Sequence, residues 1–201
     1  MIAELIVLDD SPIETLEPTA RANGLPGREQ GRPPILDSLQ GKTMAVIDSD
    51  SPGDSESYFA RALIRRMQEA FGVRDVIWVK KDNRTHPPQP ELWQEVTERA
   101  DIGIAMYGGC GTCSSRTMRD AIEMEWAGIP SVAIAHEDLR GAIDAMRTIS
   151  KATQTPYVLI PRPLTPSGDW GVEATDDIVD RILPRLATQL TLEVSMALKS
   201  A

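Results

Sequence analysis

Cysteine is scarce: the 201-residue chain has two, and both fall within one four-residue stretch. A single pair is too few for the disulfide framework of a small secreted domain. The spacing C-x-x-C reads instead as a redox or metal pair in a cytosolic protein. Basic charge is also short. Lys and Arg number 21 against 30 Asp and Glu, a net charge of −9. That balance makes nucleic acid and anionic membranes poor candidates for partners. No apolar run approaches the roughly 20 residues that cross a bilayer. The start, Met1-Ile2-Ala3-Glu4-Leu5, lacks a basic region and a long apolar stretch, so no signal peptide is evident and a cytoplasmic location is expected.

What the chain does have is a regular alternation of short apolar runs and helical patterns. At 41% hydrophobic residues, it has enough for one core. Residues 2–8 look like a short strand, and residues 9–41, rich in Pro, Gly and charge, read as an arm crossing a surface. The organisation expected is therefore an N-terminal strand and arm over 1–41, an α/β domain over 42–189 and a tail over 190–201. Thr43–Asp48 is a nearly continuous apolar run, as in a strand buried on both faces. Further strands are expected at 75–79, 101–106, 131–135 and 157–160. Helices are expected with Phe59, Leu63, Met67 and Ala70 on one face, then over 91–99, 116–126 and 137–150, and finally from Gly171 through Leu186, with Pro184 bending or interrupting the last. The tail 190–198 alternates strictly and reads equally as a strand or as more helix. This order predicts an open, mainly parallel sheet with helices on both faces, Rossmann- or flavodoxin-like. Ligands of such sheets bind beyond the carboxyl ends of the strands.

The chemistry-bearing residues fall there. Gly108-Gly109-Cys110-Gly111-Thr112-Cys113-Ser114-Ser115 lies between a strand and a helix, where amide N–H groups favour a thiolate. Cys110 is the candidate nucleophile and Cys113 its resolving thiol. Half a zinc site and an inert pair remain open alternatives, although a structural zinc site usually needs four N or S ligands and the chain adds only His86 and His136. Gly108 and Gly109 allow a tight turn and close approach of a ligand. Thr112 and Ser114 are candidate substrate contacts on the same loop. His136, directly after the fourth strand, is placed on the site rim as a general acid or base, or else caps the helix beginning at Glu137. Arg162, between two prolines, either clamps a carboxylate or phosphate or forms an ion pair with Asp169. Asp48 and Ser49 line the pocket or cap the next helix, a role that suits Asp54 or Ser55 better. Tyr107 and Trp170 wall the pocket or pack beneath it.

Cys110-Gly111-Thr112-Cys113 resembles the motif of the UGSC-domain family, named for selenocysteine-Gly-Ser-Cys. The flanks Asp120-Ala-Ile-Glu-Met-Glu-Trp-Ala-Gly-Ile-Pro130 and Ile160-Pro-Arg-Pro-Leu164 look similar too, with weaker matches at Leu16-Glu-Pro-Thr19 and Leu39-Gln-Gly-Lys-Thr43. A more distant similarity is to the selenoprotein B component of glycine reductase. The resemblance implies a reactive chalcogen at Cys110. Sulfur in place of selenium needs more help to ionise, for which Arg116 and Arg119 are candidates. Arg162 stands where the resemblance would put a histidine. The function expected is thiol-dependent catalysis on a small molecule: redox chemistry, carbon–heteroatom cleavage or sulfur transfer. No bound cofactor is expected, and an external thiol or thioredoxin-like reductant would reset the pair. Homo- or hetero-oligomerisation is expected from the arm and tail. The rival readings are a non-catalytic or site-sharing subunit of a hetero-oligomer and a zinc-binding module.

Overall fold

The computed structural model describes residues 32–49, 57–162 and 171–192. The N-terminal strand-like run, most of the arm, Trp170 and the tail beyond Leu192 lie outside the described residues. The remaining elements follow the expected alternation: β1 (Thr43–Asp48), α1 (Tyr58–Phe71), β2 (Asp75–Lys80), α2 (Pro90–Arg99), β3 (Ile102–Met106), α3 (Gly111–Trp126), β4 (Ser131–His136), α4 (Arg140–Ile149), β5 (Tyr157–Ile160) and α5 (Gly171–Leu190). The five strands form one parallel sheet in the order β2-β1-β3-β4-β5. This is the flavodoxin-like order of a doubly wound α/β fold, whose strand order reverses between β1 and β3.

The apolar alternation along each strand decides which helix packs where. Met44, Val46, Ile102, Ile104, Val132 and Ile134 face one layer, filled by α1 and α5. Ala45, Ile47, Ala105, Ala133 and Ala135 face the other, filled by α2, α3 and α4. Small residues on this second face let α3 lie close. Gly103 has no room for a side chain, because a Cβ there would meet Met124 and the Ser131 hydroxyl.

Three helix boundaries differ from expectation. α1 is capped by Ser57, whose hydroxyl accepts from the Ala60 amide at 3.2 Å, rather than by Asp54 or Ser55. The helix expected over 137–150 opens as a 3-10 turn, Glu137–Leu139, before α4 begins. α3 starts at Gly111, five residues before the expected Arg116, so that the C-x-x-C forms its cap and first turn. Pro184 sits inside α5 without ending it. The described part of the arm lies against the domain: Leu39 is buried in the core, and Leu36 forms a parallel bridge with Thr191. Arg32 donates to Glu125 at 2.7 Å.

Buried charge locks α3 to the sheet. Lys81, immediately after β2, donates to Asp120 at 2.7 Å with both side chains fully buried. Arg116 joins the same carboxylate at 2.8 and 2.6 Å and also reaches Glu123. Burial pushes Asp120 above the usual carboxylate range and Lys81 below the usual lysine range, while their pairing opposes both shifts. Removing one partner leaves a buried charge uncompensated, which is far worse than never having had the pair. Asp120→Ala is therefore expected to destabilise the fold by roughly 3–5 kcal/mol in urea denaturation. The cavity-free Glu95→Ala, which removes an exposed pair with Arg99, should change stability by less than about 1 kcal/mol.

Candidate active site

The carboxyl ends of β1 and β3 lie side by side where the strand order reverses, the place at which sheets of this kind bind ligands in a crevice. The two ends are tied by the Ser49 amide, which donates to the Met106 carbonyl at 2.7 Å. The cysteine loop leaves β3 at this point.

The loop is built to start a helix at once. Cys110 is extended, at φ −136° and ψ 165°, and occupies the N-cap of α3. Its sulfur accepts the Cys113 amide at 3.2 Å, and its carbonyl accepts the Ser114 amide at 2.8 Å. A C-x-x-C spacing thus equals the distance from a helix cap to the amide one turn in, the relation that a serine or threonine cap normally uses. Cys110 and Cys113 are joined as a disulfide with their Cα atoms 5.2 Å apart. Cys110 is exposed and Cys113 is buried. Among the described residues, the amides of Gly111 and Thr112 find no acceptor, so the amino end of α3 faces solvent with free donors beside the exposed sulfur.

The glycines divide by role. A Cβ at Gly108 would overlap the Cβ of Cys113 and lie 2.7 Å from its carbonyl carbon, whereas Gly109 and Gly111 have nothing within 4 Å. Gly108 is thus required by packing under the disulfide. Ser114 is fully buried, and its hydroxyl donates to the Gly108 carbonyl at 2.9 Å. It closes the loop from beneath rather than reaching toward a ligand, a correction to its expected role as a substrate contact. Gly109 and Thr112 lie on the exposed side of the loop, beside Cys110.

Arg162 does reach the site, though by another route than expected. Its Nε donates to Asp138 at 2.6 Å and its guanidinium also donates to the Gly109 carbonyl at 3.1 Å. The bond from Arg162 holds the Asp138 carboxyl below the usual carboxylate range. Arg162 therefore clamps the cysteine loop to the turn after β4, and its ion-pair partner among the described residues is Asp138; the expected partner, Asp169, lies outside them. Arg116 and Arg119 serve carboxylates along α3 instead of the sulfur. Arg119 bonds Glu123 at 2.8 Å and covers the Trp126 ring at 4.4 Å.

His136 is buried rather than on a rim. It is the last residue of β4 and shares a face with Val132 and Ile134. Its Nδ1–H donates to the Pro161 carbonyl at 3.1 Å, and its ring meets Tyr107 edge-on at 5.0 Å. Burial lowers its pKa from the ordinary 6.5, so it is held neutral. Tyr107 is buried too, packed edge-on against Phe59 at 5.0 Å. Both residues support the loop from below rather than walling a pocket. Asp48 is buried and accepts from the Trp78 indole N–H at 3.2 Å. Ser49 is buried with no hydrogen-bond partner for its hydroxyl. Neither side chain is open to solvent, so both belong to the floor of the crevice. Among the described residues, no group of three or more His, Cys, Asp or Glu side chains is arranged to hold a metal, and no helix is long and apolar enough to cross a membrane.

The family model that matches this chain is that of the UGSC family, over residues 14–192. The chain belongs to the UGSC family. No curated protein and no solved structure matches it, so the more distant similarity to the glycine reductase component is not shown. In this UGSC protein the naming motif is the cap and first turn of α3. The motif's outer positions are thereby a solvent-facing sulfur at the helix start and a buried sulfur one turn later.

Two outcomes follow from this geometry. Gly108→Ala should destabilise the protein by about 1–3 kcal/mol, as overpacking does, while Gly109→Ala should stay within about 0.5 kcal/mol in the same denaturant titration. The lowered pKa of His136 makes the unfolded chain bind a proton that the folded one refuses. Stability should therefore be complete above pH 6.5 and fall as pH drops from there toward the lowered native value, by at most about 1.4 kcal/mol per pH unit. His136→Gln, measured across the same pH series, should flatten that part of the curve.

Proposed function

We propose that this UGSC protein is a dithiol enzyme that reductively cleaves a bond to a heteroatom in a small electrophile, with Cys110 as nucleophile and Cys113 as resolving thiol. The observation that carries the reading is the asymmetry of the pair: an exposed sulfur at the cap of α3 and a buried one at disulfide distance behind it. Partial positive charge at a helix start favours a thiolate over a thiol, and free amides there favour a departing or arriving anion.

The steps balance as follows. The Cys110 thiolate attacks R of a substrate R–X, forming an S–R bond while X leaves with the bonding electron pair. Cys113 loses its proton and attacks the Cys110 sulfur. The S–S bond forms, and R departs with its electron pair and takes a proton. The substrate has gained two electrons and the protein pair has lost them. An external thiol or thioredoxin-like dithiol then reduces the disulfide by exchange. The floor residues hold the loop, and Arg162 fixes the Gly109 peptide next to the nucleophile.

The test uses reduced protein and a small disulfide, such as oxidised glutathione, as the electrophile. Cys113→Ser should accumulate a mixed disulfide at residue 110, seen as a mass adduct. Wild-type protein should pass through the adduct and end as the internal disulfide. Cys110→Ser should react at least about tenfold more slowly, since its remaining thiol is buried. Equal rates for Cys110→Ser and wild type, or a lasting adduct on wild type, would overturn the assignment.

A further inference from the structure

We propose that the outer edge of β5 seats the same edge of a second copy of this chain, so that two sheets run together across a two-fold axis. β5 ends the strand order, and among the described residues only β4 pairs with it. The Ala133 amide donates to the Pro156 carbonyl. Polar groups alternate along a strand, so the N–H and C=O of Tyr157 and Leu159 face away from β4. They open on a cleft of about 410 Å³ whose lining includes Glu137, Arg140, Tyr157, Leu159, Arg185 and Gln189.

Two features select a second copy as the occupant. The first is that the edge carries no charge between its two bounding prolines. β2, at the opposite side of the sheet, begins and ends with charge, at Asp75 and Lys80. β5 reads Tyr-Val-Leu-Ile between Pro156 and Pro161, with no lysine or inward charge along its four residues. The second is that the cleft carries both signs, arranged end to end. Glu137 follows His136, which is level with Ile160 at the finish of β5. α5 returns along the sheet, so Arg185, near its end, lies toward the start of β5. A two-fold axis through the middle of β5 pairs the strands antiparallel and exchanges these ends. Each Glu137 then meets the Arg185 of the other copy, as an isologous interface requires. Neither residue has an ion-pair partner among the described residues. Tyr157 is held ready for the pairing by its hydroxyl, which donates to Asp144 at 3.0 Å.

Sedimentation velocity of the full-length chain over a dilution series tests this. The expected species has twice the 22.0 kDa chain mass and dissociates on dilution. Leu159→Pro removes an outward N–H without touching the β4 ladder and should leave a monomer. Arg185→Glu should raise the dimer dissociation constant at least about tenfold, and adding Glu137→Arg should bring it back toward wild type. The charge pair keeps the proposal testable should the proline variant fail to fold. Amide exchange at Tyr157 and Leu159 should slow as concentration rises. A monomer at every concentration, or a dimer indifferent to both single variants, would overturn the proposal. So would protection of these amides that does not vary with concentration, which would assign the edge to a segment of the same chain, such as residues 2–8.

Discussion

The bond from the Cys113 amide to the Cys110 sulfur is the contact on which the site depends. It is a helix cap, and a cap has two consequences here. It fixes where α3 begins, and so sets one sulfur outward and the other inward. It also biases the redox state. The disulfide sulfur is neutral and gains little from the helix terminus, whereas a Cys110 thiolate gains up to about 1 kcal/mol from it. Stabilising the reduced form makes the pair a stronger oxidant, by about 30 mV for each 1.4 kcal/mol. A pair placed this way is easier for an external thiol to reset and correspondingly weaker as a reductant, so in the proposed reaction the helix terminus favours attack by the ionised sulfur rather than closure of the disulfide.

A cap can act on a ligand only if the helix behind it does not move. Here α3 is held by the fully buried Lys81–Asp120 pair, by Arg116 on the same carboxylate, and by Met118, Ala121 and Ile122 packed against the sheet. The loop before it is held from the opposite side, through Gly108 against Cys113, Ser114 on the Gly108 carbonyl, and Arg162 on the Gly109 carbonyl. Hydrophobic packing could anchor a helix with less desolvation. The charged anchor adds register: Asp120 must meet Lys81 at one rotation of α3, and that rotation fixes the direction in which Cys110 points.

The fold was legible because each buried strand is a short apolar run and each helix carries a 3.6-residue stripe. Both signals are local, and both arise from the same two-layer core. The start of α3 was not legible for a physical reason. Gly111, Thr112, Ser114 and Ser115 are poor helix formers, and only the cap and the tertiary hold on the loop make them helical. His136 was placed correctly along the chain but not in depth. Its position after four apolar residues suggested a rim, while strand parity carried it inward with Val132 and Ile134. The Arg162–Asp138 pair joins residues far apart in sequence, and nothing short of the β4–β5 pairing brings them together. The cysteine pair itself was legible, because its spacing already encodes the geometry of a cap.

The depth of His136 and Tyr107 bears on how a proton could move. His136 is a neutral imidazole whose Nδ1–H is fixed by the Pro161 carbonyl and whose side chain is almost fully buried. It cannot exchange a proton with solvent as freely as a surface histidine would. Among the described residues, the exposed face of the site offers amides and a sulfur, and the nearest carboxylate, Asp138, is engaged by Arg162. Under the proposed function, chemistry at Cys110 has to suit a nucleophile whose ionisation is helped by backbone dipoles and a leaving group stable enough to depart as an anion. For the proposed reaction that requirement favours substrates with weak heteroatom bonds over amides and simple esters, whose leaving groups need a proton delivered as they go.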